Sequence, residues 1–455
     1  MANVFVSVLG TNNYVPCSYN FGDEVVVKNA RFVQEATVSR CCKDWSESDR
    51  ILIFTTDEAE KKNWLDNGQI DPETHEPIIQ QGLKSRLDAL GLNAAVTNVK
   101  IPEGKTESEI WEIFNAILGR LGQGDEVVFD ITHAFRSITM LVMVVLNYAK
   151  VVKGVKLLGI YYGAFEVLGS PKRVAQMPME KRIAPIFDLT PFDRLMDWTT
   201  AIDRFVGAGD ASLVRKLADD VVMPRLNRAK GGDRAAKAVK KIAKTIDGFA
   251  ISVSTCRGRS ISGAAAKLKR DLVKGRSYSD ELIPALSPLL GSVQTKLEGF
   301  VGDEVRDGVA AARWCLEHNL IQQGFTILQE TLVSYLIHQI GEESKLVKNR
   351  KIATESLGIV KRNLAEKFWQ GEAAKDVEKT RKFVALLESR QDLQAFFLGP
   401  SFERLKEFRN DLNHGGYTGN THGADEFRDV LRQILSEAEE FLLIDGAHSG
   451  LTGAN

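Results

Sequence analysis

Glu126-Val127-Val128-Phe129-Asp130-Ile131-Thr132-His133-Ala134-Phe135-Arg136-Ser137 is an apolar run, a polar turn and the start of a helix, in that order. Val127–Phe129 has the length and the β-branched and aromatic content of a buried strand, so a strand is expected over Glu126–Asp130. The apolar spacing beyond Ser137 is helical and predicts a helix over Arg136–Val152. The same alternation extends to both sides. Val4–Leu9 reads as a buried strand closed by the turn Gly10-Thr11-Asn12-Asn13. A helix over Ala30–Lys43, a strand over Arg50–Phe54, helices over Asp57–Leu65 and Ile78–Leu90, and a strand over Ala94–Val99 follow. The helix Glu107–Leu121 comes before the quoted stretch and the strand Val155–Tyr161 after it. Strands and helices in alternation predict an α/β domain: a parallel sheet with helices on both faces.

In such sheets ligands lie beyond the carboxyl ends of the strands, near the point where strand order reverses. That rule selects two loops, Gly10–Asn13 and Thr132–Ser137. The second runs straight into a helix, whose free N–H groups favour an anion, and Arg136 adds a fork of donors suited to phosphate. The same residues also serve plainer ends: Thr132 or Ser137 as a helix N-cap, Asp130 as a structural turn residue. No GxGxxG follows the first strand and no P-loop occurs, which argues against a dinucleotide-binding domain.

Beyond Pro185–Pro191 the composition changes, and helical periodicity dominates from Phe192 to Leu443. We place a boundary near Asp188 and expect a domain over 1–188, a helical connector over 189–300, a second helical domain over 301–445 and a disordered Gly-rich tail over 446–455. Segment 225–276 carries 15 Lys/Arg against three Asp, a local charge of +12. It is either a polyanion-facing surface or a solvated connector face, and the sparse aromatics (Phe249, Tyr278) offer little for base stacking.

The whole chain has 455 residues, 44% of them hydrophobic, with 59 Lys+Arg and 60 Asp+Glu. This length suits two or three domains, and the near-neutral charge excludes a protein coated in bases for bulk nucleic-acid binding. The average hides a contrast: residues 1–187 hold 20 Lys/Arg and 23 Asp/Glu. The five cysteines show no CxxC pairing, so neither a disulfide framework nor a zinc ribbon is indicated. With no signal-peptide pattern and no 18-residue apolar run, a reducing, cytoplasmic compartment is expected.

Late in the chain, Phe408-Arg409-Asn410-Asp411-Leu412-Asn413-His414-Gly415-Gly416 sets an arginine and a histidine five positions apart. Along a straight helix their side chains would point about 140° apart, so they converge only where the helix bends or stops. Gly415-Gly416 supplies a stop. A histidine that exchanges protons near neutral pH and an arginine that steadies a pentavalent phosphate make a minimal kit for metal-free RNA cleavage. Arg313-Trp314-Cys315-Leu316-Glu317-His318 has the same interval, but its core-like middle marks His318 as a packed helix residue. From the residues alone, Arg409–His414 is equally a capped surface helix.

Taken together, these stretches resemble the CRISPR-associated CARF–HEPN ribonucleases, the ancillary effectors of type III CRISPR systems. Ser7–Tyr14 is similar to the first strand and loop of the sensor. Phe32-Val33-Gln34, Phe54–Ala59 and Asn63-Trp64 follow in family order, and Asp130–Ser137 is similar to the second ligand loop. Arg409–His414 fits the Arg-x(4–6)-His motif of HEPN nucleases, and Gln322–Thr326 with Glu330 sits where those domains carry an earlier core helix. The resemblance implies a Rossmann-like sensor that binds a cyclic oligoadenylate across the two-fold axis of a homodimer. Its contacts would be Gly10, Thr11, Asn12, Asn13, Thr132, His133, Arg136 and Ser137. It further implies paired HEPN domains that cut single-stranded RNA without a cofactor or metal. His414 would be general acid/base, Arg409 would stabilise the phosphorane, Asn410 would orient a phosphate or the histidine, and the RNA 2′-hydroxyl would be the nucleophile. Slow degradation of the activator by the sensor is a further possibility that the resemblance raises, with His133 the sole loop histidine. Two other classes stand beside this reading. One is a ligand-gated regulator that binds nucleic acid through 225–276 without cutting it. The other is a phosphate-handling enzyme at the α/β loops with a helical half for assembly.

Overall fold

The computed structural model of the chain describes residues 1–71, 73–133, 136–419 and 421–449, and the side chains of 25, 26, 136–139 and 444–449 lie outside that description. The chain forms two compact units, Met1–Asp193 and a second that starts at Arg194. The first unit contains β1 (Asn3–Leu9), β2 (Cys17–Phe21), β3 (Glu24–Ala30), α1 (Val33–Cys41), β4 (Arg50–Thr55) and α2 (Asp57–Ala59), which continues as a π-helical turn, Glu60–Trp64. Then come α3 (Leu83–Asp88), β5 (Ala95–Lys100), α4 (Glu107–Arg120), β6 (Glu126–Asp130), α5 (Arg136–Lys153), β7 (Lys156–Gly163), α6 (Pro171–Ala175) and β8 (Ile183–Asp188).

The eight strands form one sheet in the order β3-β2-β8-β7-β6-β1-β4-β5. Strand β1 lies between β4 and β6 in parallel register, with Val6 opposite both Leu52 and Phe129. The chain moves from β1 through β4 to β5 on one side, then crosses to β6 and β7 on the other, so strand order reverses between β1 and β6. Alternate residues of β1 feed the two faces. Val4, Val6 and Val8 pack with Ile113 and Ile117 of α4 and Val142 and Val145 of α5, while Phe5 and Leu9 pack with Val38 of α1 and Leu83 and Leu87 of α3.

The centre of the sheet, from β7 through β6, β1 and β4 to β5, is parallel as expected, and two antiparallel pairs make the whole sheet mixed. β2 and β3 form an antiparallel hairpin inserted between β1 and α1, with Gly22 at φ +58° opening its two-residue loop. β8 runs antiparallel to β7, because the chain between them makes only short helical turns and no crossover helix. The helix expected over Ile78–Leu90 shrinks to α3. The Asp66 and Asn67 side chains accept the N–H groups of Gly82 (2.6 Å) and Gln80 (2.8 Å), holding that stretch in a non-helical turn.

The second unit is helical throughout. After α7 (Thr190–Ala208), which begins at the end of the first unit, come α8 (Ser212–Arg228), α9 (Arg234–Ser254), α10 (Gly258–Leu282), α11 (Leu286–Lys296), α12 (Glu304–Glu317) and α13 (Ile321–Gln339). They are followed by α14 (Val347–Lys361), α15 (Gly371–Lys375), α16 (Val377–Ser389), α17 (Gln391–Phe397), α18 (Pro400–Asn413) and α19 (Glu426–Ser449). One continuous core runs through these helices and includes Phe249, Trp314, Phe325, Phe397 and Phe402. His318 belongs to it as expected: it caps α12, stacks on Trp314, and bonds the carbonyls of Trp314 (2.6 Å) and Val206 (2.9 Å). Among the described residues no helix is long and apolar enough to cross a membrane. The five cysteines are free.

Candidate functional site

Two places concentrate chemistry. The first is the pair of loops at the strand-order reversal. The loop after β1 is held from below by side chains far away in sequence. Asn63, fully buried, donates to the carbonyls of Gly10 (2.8 Å) and Asn12 (2.9 Å). Gln69 donates to the carbonyls of Thr11 (3.2 Å) and Asn12 (3.3 Å) and to Asn63 Oδ1 (2.9 Å). Arg31 completes the set, donating to Asn63 Oδ1 (2.9 Å) and to the Gln81 carbonyl (2.8 Å). Burial of its guanidinium, with Arg86 beside it, lowers the Arg31 pKa to about 10.

The loop after β6 hangs on Asp130, which is fully buried. It accepts from Ser7 (3.3 Å), Thr37 (3.3 Å), and the backbone N–H (3.0 Å) and hydroxyl (2.6 Å) of Thr132. Burial pushes the Asp130 carboxyl up, and these bonds pull it down. The Thr132 hydroxyl also accepts from the N–H of Gly163 (2.8 Å), tying the loop to the end of β7. Asp130 and Thr132 are therefore structural members that hold the loop in place.

A cavity of about 450 Å³ opens between the two loops, lined by Asn12, Asn13, Tyr14, Tyr19, Arg31, Thr132, His133, Tyr162, Phe165 and Glu166 among others. Of the expected contacts, Asn12, Asn13, Thr132 and His133 line it. Gly10 lies beneath, packed so closely that a Cβ there would sit 2.4 Å from the Tyr14 hydroxyl, and Thr11 contributes its carbonyl to the Gln69 anchor. The Arg136 and Ser137 side chains lie outside the described residues. Arg31, Tyr14, Tyr162 and Glu166 went unread at the sequence level. They come from elements that only the folded sheet brings together, and the Gly22-Asp23 turn was the sequence signal for the hairpin that leads into Arg31.

The His133 ring packs against Tyr14 with centroids 4.2 Å apart and the planes tilted by 36°, and its Nε2 is sealed from solvent without a partner among the described residues. Burial lowers its pKa to about 3, so the ring is neutral at physiological pH. The unfolded chain takes up a proton at His133 near pH 6.5 and the folded chain does not, so folding carries no penalty above that pH and a growing one as pH falls towards 3. Between pH 7 and pH 5 we expect a loss of about 2 kcal/mol from this group, read by urea unfolding. His133→Gln should remove that part of the acid sensitivity, and an unchanged pH dependence in the variant would contradict the assignment.

The second place is the end of α18. Phe402, Leu405 and Phe408 fix its inner face in the core. His414 is the C-cap, with its N–H on the Asn410 (3.0 Å) and Asp411 (3.2 Å) carbonyls, and Gly415 and Gly416 follow at φ +61° and +79°. The helix thus stops at the histidine, and the His414 ring is exposed and makes no hydrogen bond among the described residues. Arg409 is half-buried, with Glu330 at 3.8 Å, and Asn410 is exposed. Glu330 is itself gripped by Arg350 through two bonds of 3.0 and 2.7 Å.

Asp411, between the two expected catalytic residues, faces inward and is 2% exposed. Its carboxylate accepts from the N–H of His422 (2.9 Å) and the hydroxyl of Thr418 (3.2 Å), and its carbonyl from the N–H of Gly416 (3.1 Å). This clasp closes the loop after His414, and His422 seals it by stacking on Phe408. Tyr417, on that loop, is 95% exposed. The functional weight of Asp411 was legible only as a polar residue between Arg409 and His414; its inward direction needed the fold.

Comparison with known proteins supplies the remaining observation. Residues 4–166 match the family described as the CARF domain of the CRISPR system endoribonuclease Csx1. The chain is also 25% identical over 255 residues to the CRISPR-associated protein MJ1674 of Methanocaldococcus jannaschii, a match covering 55% of this chain and 36% of that protein. The chain thus spans little more than a third of the length of this curated relative.

Proposed function

We propose that the chain, whose residues 4–166 match the CARF-domain family and which is similar to a CRISPR-associated protein, is a CRISPR ancillary ribonuclease switched on by a cyclic oligoadenylate. It would act in the cytoplasm in type III CRISPR antiviral defence. The observation that carries the reading is the pairing of two features on one chain: a CARF sensor whose loops frame a cavity, and an Arg409–His414 motif presented at an exposed helix stop. A cyclic oligoadenylate combines purine faces with phosphodiesters. The cavity offers aromatic rings, the Asn12 and Asn13 amides and Arg31 to such a ligand.

In the proposed reaction the RNA 2′-hydroxyl attacks the adjacent phosphorus. One His414 removes the hydroxyl proton, and the 5′ oxygen leaves with a proton delivered from the His414 of a second copy. Arg409 carries the charge of the phosphorane, and Asn410 orients the phosphate. The products are a 2′,3′-cyclic phosphate and a 5′-hydroxyl, and no metal enters the scheme. Residues 301–445 would be the HEPN domain. The deciding experiment is RNA cleavage in EDTA against a panel of cyclic oligoadenylates of different ring size. Activator-dependent cleavage supports the proposal, and RNA binding without cutting under every activator would favour the non-catalytic regulator.

The scheme needs two copies, and α5 has a surface suited to pairing. Met140 (75% exposed), Val144 (57%), Tyr148 (48%) and Val151 (83%) recur at helical spacing along its outer face. Such a stripe on a soluble helix marks an interaction surface. Val144→Arg should convert a dimer into monomers in analytical ultracentrifugation and abolish activator-dependent cleavage. A variant that stays dimeric would move the interface elsewhere.

A further inference from the structure

The basic segment 225–276 divides into cations that are occupied within the fold and cations that are not. Arg225 faces Asp233 (3.9 Å), Lys241 pairs with Asp271 (2.8 Å), Arg276 donates to the Ser287 carbonyl (2.7 Å) and Arg234 lies over the Tyr278 ring (4.1 Å). Arg257 and Arg259, at the turn from α9 to α10, are exposed and have no ion-pair partner among the described residues.

This turn is tight and unusual. The N–H of Cys256 bonds the Val253 carbonyl (3.0 Å) and that of Arg257 the Ser252 carbonyl (2.8 Å), the pattern in which glycine normally occupies the left-handed position. Cys256 occupies it instead, at φ +55°. A non-glycine residue held there is a local cost that tends to accompany function. The turn and the end of α18 share a neighbour, the start of α13. At the start of α13, Gln323 donates to the Ser254 carbonyl (3.3 Å), while its neighbour Gln322 donates to Asn413 Oδ1 (3.4 Å). The Cys256 thiol, next to Arg257 in the chain, is within electrostatic reach of Arg409.

We propose that Arg257 is a substrate-binding residue: it holds the RNA backbone phosphate next to the one cut at Arg409–His414, so that the strand runs from α18 onto the α9–α10 turn. The proposal rests on the ribonuclease reading. An exposed cation without an acidic partner among the described residues, on a turn that shares the start of α13 with the end of α18, suits a polyanion that passes both.

The test uses the full-length protein with activator and a fluorescein-labelled single-stranded oligoribonucleotide. Arg257→Ala should raise KM about tenfold with kcat within about twofold, and Arg257→Lys should retain most of the affinity. In a His414→Ala background, fluorescence anisotropy against salt should show the Arg257→Ala change lowering the log–log slope by about 0.7, whereas Arg228→Ala in the same basic segment leaves it unchanged. An unaltered KM and slope in Arg257→Ala overturns the proposal, as does an equal loss in Arg228→Ala, which would mean diffuse attraction. A parent protein that binds RNA but never cuts it would defeat the ribonuclease reading alone, and the anisotropy arm would still judge Arg257.

Discussion

On the proposed mechanism, His414→Ala should reduce activated RNA cleavage by about a thousandfold, the effect of losing a positioned general acid/base. The expectation follows from where the residue stands. As the C-cap of α18 it gives its backbone N–H to the helix, and that bond survives truncation of the side chain. The ring is exposed and bonds nothing among the described residues, so its removal leaves no buried group unpaired. Melting temperature and activator affinity should therefore stay at the parental values while cleavage in EDTA disappears. Full activity in the variant would remove His414 from the mechanism and with it the composite site.

The second large effect belongs to a residue that touches neither RNA nor activator. Asn63→Leu keeps the volume of a buried side chain and deletes its amide. The Gly10 carbonyl then loses its side-chain donor, the Asn12 carbonyl keeps only Gln69, and Gln69 and Arg31 lose an acceptor. A buried polar group without a partner costs about 1–3 kcal/mol. The loop after β1 can avoid that cost only by moving, which takes Asn12 and Asn13 away from the cavity. We expect affinity for the cyclic oligoadenylate, by calorimetry, to fall about a hundredfold, and the dose-response of cleavage to shift by the same factor. The rate at saturating activator should remain, which separates a positioning role from damage to the nuclease. Affinity within twofold of the parent would show that Asn63 supports the fold only.

How much of this was legible beforehand depends on how local each signal is. The strand runs Val4–Leu9, Arg50–Phe54 and Glu126–Asp130 are apolar and short, and their expected positions agree with β1, β4 and β6 to within a residue. β2 and β3 carry mixed residues, Cys-Ser-Tyr-Asn-Phe and Glu-Val-Val-Val-Lys-Asn-Ala, whose strand character depends on pairing with β8 and with each other. The place of the two loops at the strand-order reversal followed from the switch-point rule. Their supports did not, because Asn63 and Gln69 reach Gly10–Asn12 from up to 58 residues away in sequence, with Arg31 bonded behind Asn63. The contrast between Arg409–His414 and Arg313–His318 was readable from the intervening residues alone. What the sequence did not hold was the direction of Asp411, since one polar residue in a polar run points inward only because Thr418 and the N–H of His422 lie there to meet it.

The β2–β3 hairpin enters after β1 has completed its register with β4 and β6, and it ends at the start of α1. Tyr19 and Arg31, two walls of the cavity, come with it. The ladder of β4, β1 and β6 at the centre of the sheet pairs without it. For the sensor proposed above, substitutions in the hairpin would reshape a wall of the cavity while leaving the ladder of β4, β1 and β6 in place.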